Sequence, residues 1–515
     1  MTERATTLVA LLLLVAALGV YLVHGLSFGL CIQDDAFISL RYARHLVEGQ
    51  GLVYNVGERV EGYTNFSWTV LSALPFVLGA DPVAALRVLG LLSGVLSVLA
   101  AAALAARFMP HAPLAAGAAG VYLASTPFLT AESVMGLETA AFAALCAAAT
   151  AVFVGEQRAG ARIPWSGAWL ALAALTRPEG YLVGGLIGLF DLGRAVRERA
   201  ARGAFLSRWA LFLVPVSAHL VFRVVYYGDI VPNTFHAKVG GGWAALVRGS
   251  FYGLEYLWYA SPLALLAVIG AGGLVAAGGS RRGGRSELLA LVIPLVYIAY
   301  VVYVGGDFKL TFRFFAVPTI FLAALAGIGV EHTARLLTRA AATGWIVRAL
   351  LIVLPATGLL ALGGPARDFA AWRAQELPVH RAAGRWLGEH LSSDALLATG
   401  NAGVLPYESR LPTLDMFGLN DRHIALREMP SMGTGPPGHE KGDGVYVVDR
   451  EPTVILIMRA RFQPVPRTKA EIGQLKMSVS ERELWADPRF HTHYELERVR
   501  LAGFYFHFFK RKEIA

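Results

Sequence analysis

Two adjacent carboxylates, Asp34 and Asp35, are the side chains of this sequence whose type and position best suit catalysis. They follow an apolar run over about residues 6–28, so they are expected at a membrane surface. A carboxylate placed there can act as general base for an acceptor hydroxyl, while its neighbour orients it or shares a cation with it. Adjacent side chains point in different directions, so we expect only one of the two to be the base.

The surrounding stretch, Cys31 to Trp68, is rich in polar groups for a segment beside a membrane. Its first part predicts an amphipathic helix that lies on the membrane surface and ends near Gly49. Charged groups are costly at that depth unless they are partnered or used, although polar loops after a first span are also ordinary. The candidate substrate-binding residues of this stretch are Arg41, Glu61, Tyr63 and Asn65.

Four cations share a predicted place at the outer ends of membrane spans, where the phosphate of a lipid-linked donor would lie. They are Arg177, Lys238, Lys309 and Arg313. Taken singly, each also fits a side chain that merely reaches from the span to the interface. As a group they predict a donor phosphate-binding site.

Further polar residues on the same predicted side complete the candidate substrate-binding site. They are Glu138, Glu179, Asn233, His236 and Asp307. The two glutamates could equally well form ion pairs with the cations or contact sugar hydroxyls. His236 is also explained by simple exposure to solvent in a loop. Cys31 and Cys146 have no metal-ligand spacing, so the sequence predicts neither a zinc site nor a disulfide.

The composition predicts a polytopic α-helical membrane protein and excludes a soluble enzyme. Of the 515 residues, 55% are hydrophobic and 16% charged, and the mean hydropathy is +0.51. About eleven spans are predicted, near residues 6–28, 83–106, 112–130, 137–155, 163–177, 179–193, 209–228, 256–278, 287–304, 312–330 and 344–362. The net charge of +9 comes largely from basic loops between spans, so it reflects membrane orientation and not a nucleic-acid partner.

The arginines of these loops predict the orientation, with the N-terminus inside. The loops assigned to the cytoplasm carry Arg107, Arg158, Arg162, Arg194, Arg197, Arg199, Arg202, Arg208, Arg281, Arg282, Arg285, Arg335 and Arg339. All the polar clusters described above then fall on the extracytoplasmic side. We therefore predict a transmembrane catalytic domain over residues 1–362, with its first extracytoplasmic loop at 29–82, and a soluble extracytoplasmic α/β domain over 363–515.

This organisation resembles the GT-C superfamily of glycosyltransferases, which use polyprenyl-phosphate sugars. The loop DDAFISLRYARHLVEGQGLVYNVGERVEGYTN is similar to that of the terminal β-(1→2)-arabinofuranosyltransferases of actinobacterial cell walls and their uncharacterised bacterial relatives. Further similar motifs are GLET (136–139), TRPEG (176–180), YGDIVPNTFHAK (227–238), GGDFKLTFRF (305–314) and LDMFGLNDRHIA (414–425).

The resemblance implies a glycosyltransferase of the bacterial cytoplasmic membrane with its active site on the periplasmic face. The sugar, with arabinofuranose expected first, would pass from a polyprenyl-phosphate donor to a glycan, lipid or protein acceptor. The catalytic acids carry over onto Asp34 as base and Asp35 as support, and the reverse fits nearly as well. The resemblance implies no particular cofactor, and a divalent cation stays an open alternative. The other classes considered are a different lipid-linked transferase and a transporter or flippase of lipid-linked glycans.

Overall fold

The structure is a computed structural model that describes residues 3–160, 163–240, 242–278, 285–337 and 341–512. Arg162, Arg281, Arg282 and Arg339, which the predicted topology places in cytoplasmic loops, lie outside these ranges. The protein is predominantly helical, as its apolar composition predicts.

The first eighteen α-helices cover most of the chain up to residue 390. They are α1 (Glu3–Ser27), α2 (Asp34–Val47), α3 (Phe66–Leu71), α4 (Leu74–Val77), α5 (Pro82–Phe108), α6 (Pro113–Ala124), α7 (Pro127–Val134), α8 (Thr139–Ala159), α9 (Ser166–Thr176), α10 (Gly180–Arg197), α11 (Arg202–Tyr227), α12 (Asn233–Lys238), α13 (Gly242–Tyr259), α14 (Ser261–Gly278), α15 (Leu289–Tyr303), α16 (Ala316–Leu337), α17 (Ala341–Ala361) and α18 (Gly364–His390). Short 3₁₀ turns occupy Arg199–Ala201, Arg285–Leu288 and Arg313–Phe315.

The remaining residues alternate short strands and helices. In order they are β1 (Leu397–Thr399), α19 (Val404–Ser409), β2 (Thr413–Asp415), α20 (Arg422–Leu426), α21 (Gly444–Asp449), β3 (Val454–Ile455), β4 (Phe462–Gln463), α22 (Lys469–Gly473), α23 (Val479–Ala486), α24 (Pro488–His493), β5 (Tyr494–Leu501) and β6 (Phe504–Arg511). This confirms the predicted C-terminal α/β region.

The chain is a multi-span membrane protein, as predicted, and the number of spans among the described residues depends on how short and bent helices are counted. Seven described helices are long and apolar enough to cross a membrane, and two bent pairs, α6 with α7 and α13 with α14, bring the number to nine. The predicted eleven also counted α9 and α10 as separate spans. Helix α9 has only 11 residues, a rise of about 16 Å against about 30 Å of hydrocarbon. Helix α10 carries three charged residues, Asp191, Arg194 and Arg197.

The chain packs as two compact units. The first consists of residues 1–30, 86–220 and 249–371, and the second of residues 31–85, 221–248 and 372–515. The second unit therefore contains most of the predicted first loop together with the C-terminal residues. The predicted domain boundary after residue 362 stays a prediction.

Close helix packing at glycines holds the first unit together. A Cβ atom at Gly270 of α14 would lie 2.0 Å from the carbonyl oxygen of Leu325 in α16, and one at Gly329 of α16 would lie 2.0 Å from that of Leu266. Such small residues let neighbouring backbones approach, which is how membrane helices associate without a hydrophobic driving force. Helix α16 is the most deeply buried of the described spanning helices, because 89% of the residues in its apolar 18-residue segment are buried.

A six-stranded sheet organises the C-terminal part of the second unit. Strand β1 pairs in parallel with β2 on one side and β3 on the other, and β6 then pairs antiparallel with β3, β4 and β5. The register aligns Leu397 with Thr413 and Val454. Apolar residues from both faces, including Leu397, Ile455 and Phe509, are buried, so the sheet is covered on both sides.

Candidate functional site

Helix α2 begins at the carboxylate pair and is buried within the second unit. The helix was predicted to lie on the membrane surface with its polar side toward water, but that side is covered by protein. Arg41, Arg44 and His45 are 2%, 5% and 6% exposed, whereas Leu46 and Val47 are 37% and 40% exposed. The helix ends before Gly49, which adopts φ +76°, as predicted. The two buried arginines of this helix therefore contact other parts of the protein and not solvent.

Asp34 accepts hydrogen bonds from the backbone at the start of α19. Its Oδ2 atom lies 3.1 Å from the nitrogen of Gly403 and its Oδ1 atom 2.9 Å from the nitrogen of Val404. Both oxygens are used, so the orientation of the carboxylate is fixed by these amides. Asp35 starts the same helix, is half-buried, and also has contacts within the protein.

Gly403 is required for this approach. A Cβ atom there would lie 2.0 Å from the carbonyl oxygen of Asp34 and 2.6 Å from its carboxyl carbon. We expect Gly403→Ala to push Asp34 away and to cost roughly 1–3 kcal/mol, as overpacking does. Thermal unfolding and activity of the purified variant measure this, with Gly364→Ala as control because nothing lies within 4 Å of a Cβ at that position. A Gly403→Ala protein with wild-type melting temperature and activity would contradict the assignment.

Two arginines of α2 bind the opposite end of α19. Arg41 Nη1 donates to the carbonyl oxygen of Pro406 at 2.6 Å, and Arg44 Nη1 donates to that of Tyr407 at 2.9 Å. Helix α2 thus places an acid at the amino end of α19 and cations at its carboxyl end. This arrangement complements the helix dipole and joins the predicted first loop to the C-terminal region.

Arg41 directs its donors to the protein itself. Besides its bond to Pro406, Arg41 donates from Nε to the backbone carbonyl oxygen of Tyr54 at 2.7 Å. Its Nη2 atom donates to the backbone carbonyl oxygen of Leu411 at 2.7 Å and to Oδ1 of Asn55 at 3.3 Å. We predicted Arg41 as a substrate-binding residue from its position in a membrane loop. Because its described hydrogen bonds go to these acceptors, we do not include it in the proposed substrate site.

The other predicted residues of the loop are also bonded internally. Glu61 accepts from both Nε and Nη2 of Arg223 at 2.7 and 3.1 Å, and the Tyr63 hydroxyl lies 3.1 Å from that of Tyr227. Asn65 donates to the Ser39 hydroxyl at 3.1 Å. These contacts hold the loop in shape.

Residues 229–238 also belong to the second unit. Asn233 is buried and donates from Nδ2 to the carbonyl oxygens of Gly418 and Leu419 at 2.9 and 3.0 Å. The Nε2 atom of His236 lies 3.1 Å from the carboxylate of Asp229, and Lys238 is exposed with its stem beside Gly438. Asn233 therefore positions the loop 418–421, and Lys238 remains accessible.

The first unit brings together Arg177, Glu138 and Glu179. Arg177 donates from Nη1 to Glu138 at 2.7 Å and from Nη2 and Nε to Glu179 at 2.9 and 3.2 Å. The glutamates thus serve as partners of the cation, one of the two alternatives left open by the sequence. With two carboxylates around it, Arg177 is poorly suited to bind a further anion.

The motif GGDFKLTFRF forms a second cluster in the same unit. Arg313 makes a salt bridge with Asp307, and Lys309 is only 5% exposed and lies 5.9 Å from the centre of the Phe308 ring. Burial works to raise the pKa of Asp307, but Arg313 and Lys309 outweigh it and hold that pKa below its ordinary value. The guanidinium groups of Arg177 and Arg313 both lie over the ring of Phe314, at 5.5 and 5.2 Å, which joins the two clusters.

The backbone of this motif is strained, which is typical of functional sites. Phe312 adopts φ +48°, and its ring packs against Phe128 and Tyr252. Gly306 adopts φ +66°, and a Cβ atom there would lie 2.6 Å from the ring of Tyr252. The packing therefore fixes the loop that carries Asp307, Lys309 and Arg313.

Glu132 is a member of this cluster that our sequence analysis did not name as a site residue. It is fully buried in α7 and accepts hydrogen bonds from Thr139 at 3.1 Å and from Thr311. Arg313 and Lys309 act on it electrostatically. Its only sequence signal was an isolated acid within the apolar run before GLET.

Residues 369–509 match a family model described as a domain of unknown function, DUF8728. Two relatives are named terminal beta-(1->2)-arabinofuranosyltransferase. The one from Corynebacterium glutamicum is 30% identical over 318 residues, which is 54% of this chain and 45% of that protein. The one from Mycobacterium tuberculosis is 35% identical over 262 residues, 46% of this chain and 40% of that protein. The chain thus covers less than half the length of either relative.

Two solved structures share the fold. ArnT from Cupriavidus metallidurans bound to undecaprenyl phosphate has a TM-score of 0.53 at 17% identity, covering 78% of this chain and 85% of that one. The Archaeoglobus fulgidus oligosaccharyltransferase, in complex with zinc and sulfate, has a TM-score of 0.53 at 13% identity, covering 78% and 62%. These likenesses confirm the predicted fold, and the two sequence relatives confirm the predicted resemblance.

Proposed function

We propose that this protein is a membrane glycosyltransferase that moves a sugar from a polyprenyl-phosphate donor to a cell-envelope glycan or other acceptor. Arabinofuranose is the first candidate sugar, because the two named relatives transfer it. The proposed site lies on the extracytoplasmic face of the bacterial cytoplasmic membrane. The observation that carries the proposal is the carboxylate pair at the start of α2, in a chain with the fold of ArnT, whose solved structure holds undecaprenyl phosphate.

We assign the role of general base to Asp35 and a positioning role to Asp34. The sequence favoured Asp34 and left the reverse nearly as open. Both oxygens of Asp34 accept backbone amides, so this carboxylate is held in one orientation as a clamp on α19. Asp35 lies one residue on along α2, about 100° around the helix, and can face a different direction.

Within the first unit, Lys309 and Arg313 are the cations that we propose to bind the phosphate of a lipid-linked donor. They belong to one strained loop and are held in place by Asp307 and the aromatic rings around them. Arg177 supports this cluster through the ring of Phe314 and has two carboxylate partners of its own. Cations already in place where negative charge develops stabilise the transition state without further reorganisation.

The proposed reaction balances without a cofactor. The carboxylate takes the proton of an acceptor hydroxyl while that oxygen forms a bond to C1 of the sugar. The bond from C1 to the phosphate oxygen breaks, and polyprenyl phosphate leaves with the electron pair. General base catalysis contributes about 10²–10⁴-fold in rate.

A donor panel tests the proposal. The purified protein in nanodiscs would be given synthetic polyprenyl-phosphate arabinofuranose, mannose and glucose, with a nucleotide sugar as control. We expect one lipid-linked donor, arabinofuranose first, to be consumed with release of polyprenyl phosphate, and the nucleotide sugar to stay intact. Mass spectrometry of the lipid and sugar products measures this. Transfer of an intact lipid-linked sugar across the bilayer, with no donor cleaved, would contradict it and identify a flippase.

A further inference from the structure

The parallel strands β2, β1 and β3 bring the loops that follow them to one edge of the sheet. Strand β1 lies between its parallel neighbours β2 and β3, so the chain leaves β1 toward β2 on one side and returns to β3 on the other side. In open α/β sheets, ligands bind outside the carboxyl ends of the strands at such a point. In this protein the loops 400–403 and 456–461 form that edge, and the Asp34 carboxylate already lies on the first of them.

A buried arginine lies at the second loop. Arg461 is 7% exposed and donates from Nη1 to the carbonyl oxygen of Met458 at 2.5 Å and from Nη2 to His380 Nε2 at 3.0 Å. His380 Nδ1 lies 2.8 Å from the carbonyl oxygen of Glu376, so Nδ1 carries the proton and the ring is neutral. Burial, together with Arg461, holds the pKa of His380 well below its ordinary value. The carboxylates of Glu376 and Asp34 both act on Arg461 electrostatically.

Helix α18 adds Trp372, Arg373 and Glu376 to the same cluster. Arg373 donates from Nη1 to Glu376 at 2.7 Å, and its guanidinium lies 5.2 Å from the centre of the Trp372 ring. Arg373 is 9% exposed, whereas Trp372 is 47% exposed. The cluster therefore combines a half-exposed indole with buried charges.

In helix α18 and in the loop after β1, two buried polar atoms have no hydrogen-bond partner among the described residues. They are Nε of Arg373 and Oδ1 of Asn401, in the loop after β1. A buried polar atom left unpaired costs about 1–3 kcal/mol. One donor and one acceptor without partners are groups that a ligand offering both could satisfy.

We propose that this edge is a subsite for a sugar unit of the acceptor, lined by Trp372, Arg373, Glu376, Asn401 and Arg461. The inference rests on the proposed transferase function and identifies where its acceptor binds. The carboxylates of Asp34 and Glu376 would repel an anionic ligand, and the guanidinium groups of Arg373 and Arg461 would repel a cationic one. A neutral polyhydroxyl ligand therefore fits the charges best. Sugar hydroxyls both donate and accept, and the apolar face of a sugar ring packs on an exposed indole. A subsite next to the carboxylate pair would present an acceptor hydroxyl to the base.

Binding of a soluble saccharide tests this inference separately from turnover. The full-length protein in nanodiscs would be mixed with a methyl arabinofuranoside disaccharide, and saturation-transfer NMR would measure its dissociation constant. We expect Trp372→Ala and Asn401→Ala each to weaken binding by about 5–20-fold, the equivalent of about 1–2 kcal/mol. Trp243→Ala, at another exposed tryptophan, is the matched control and should bind like the wild type.

The outcomes separate the subsite from the proposed function. Wild-type binding that both variants weaken, with their melting temperatures retained, supports the subsite whether or not a donor is turned over. Donor turnover with no saccharide binding, or binding that neither variant changes, would overturn the subsite and leave the transferase standing. Inorganic phosphate is the second probe, and binding of phosphate but not of the saccharide at this edge would also overturn the assignment.

Discussion

Asp35→Asn is expected to lower the rate of sugar transfer by about 10²–10⁴-fold, since the amide cannot take a proton from the acceptor hydroxyl. Its melting temperature should stay close to that of the wild type, because Asp35 is half-buried and an amide keeps the size and shape of the carboxylate. Steady-state kinetics with a saturating donor and thermal unfolding of the same preparations measure the two effects. Asp394→Asn, at an exposed acid of the same unit, is the matched control.

Asp34→Asn should behave differently. The amide can accept from one of the two backbone nitrogens but places its own N–H₂ group against the other. We therefore expect a lower melting temperature together with a lower rate. If Asp34→Asn abolished transfer while leaving stability unchanged, and Asp35→Asn remained active, the two roles would be reversed.

Arg41→Ala is expected to destabilise the second unit by about 3–5 kcal/mol, because each buried carbonyl left unpaired costs about 1–3 kcal/mol. The carbonyls concerned belong to Tyr54, Pro406 and Leu411, which lie on both sides of the contact between α2 and the C-terminal residues. At about 2–4 °C per kcal/mol for a unit of this size, the melting temperature should fall by about 10 °C. Thermal unfolding in nanodiscs measures this.

Arg59→Ala provides the control for this experiment. Arg59 belongs to the same loop and also lies over an aromatic ring, that of Tyr226 at 4.7 Å, but it is exposed. We expect its melting temperature to change by no more than about 2 °C, the equivalent of about 0.5 kcal/mol for a surface substitution. Equal melting temperatures for Arg41→Ala and the wild type would show that α2 is not held by this arginine.

The apolar periodicity of the sequence was enough to predict the membrane fold and the C-terminal α/β region, since both patterns are local. The environment of α2 could not be predicted in the same way. Its polar side reads as a water-facing surface, but Arg41 binds Pro406 and Leu411, which lie 365 and 370 residues further along the chain. No local pattern indicates such a partner.

The sequence could not distinguish the roles of the predicted phosphate-binding cations. A cation at the end of a span has the same sequence signature whether it binds phosphate or a nearby carboxylate. Arg177 proved to have Glu138 and Glu179 as partners, while Lys309 and Arg313 lie in a strained loop with Asp307. Glu132 escaped notice because a single acid in an apolar helix carries no spacing pattern.

The central claim is that a carboxylate of this pair drives cleavage of a lipid-linked sugar. The most direct test measures release of free polyprenyl phosphate from synthetic polyprenyl-phosphate arabinofuranose by the wild type, Asp34→Asn, Asp35→Asn and Asp394→Asn, run side by side with the mannose and glucose donors. We predict release by the wild type and Asp394→Asn with at least one of the donors, and a loss of about 10²-fold or more with Asp35→Asn. Release at the wild-type rate by both Asp34→Asn and Asp35→Asn would contradict the account.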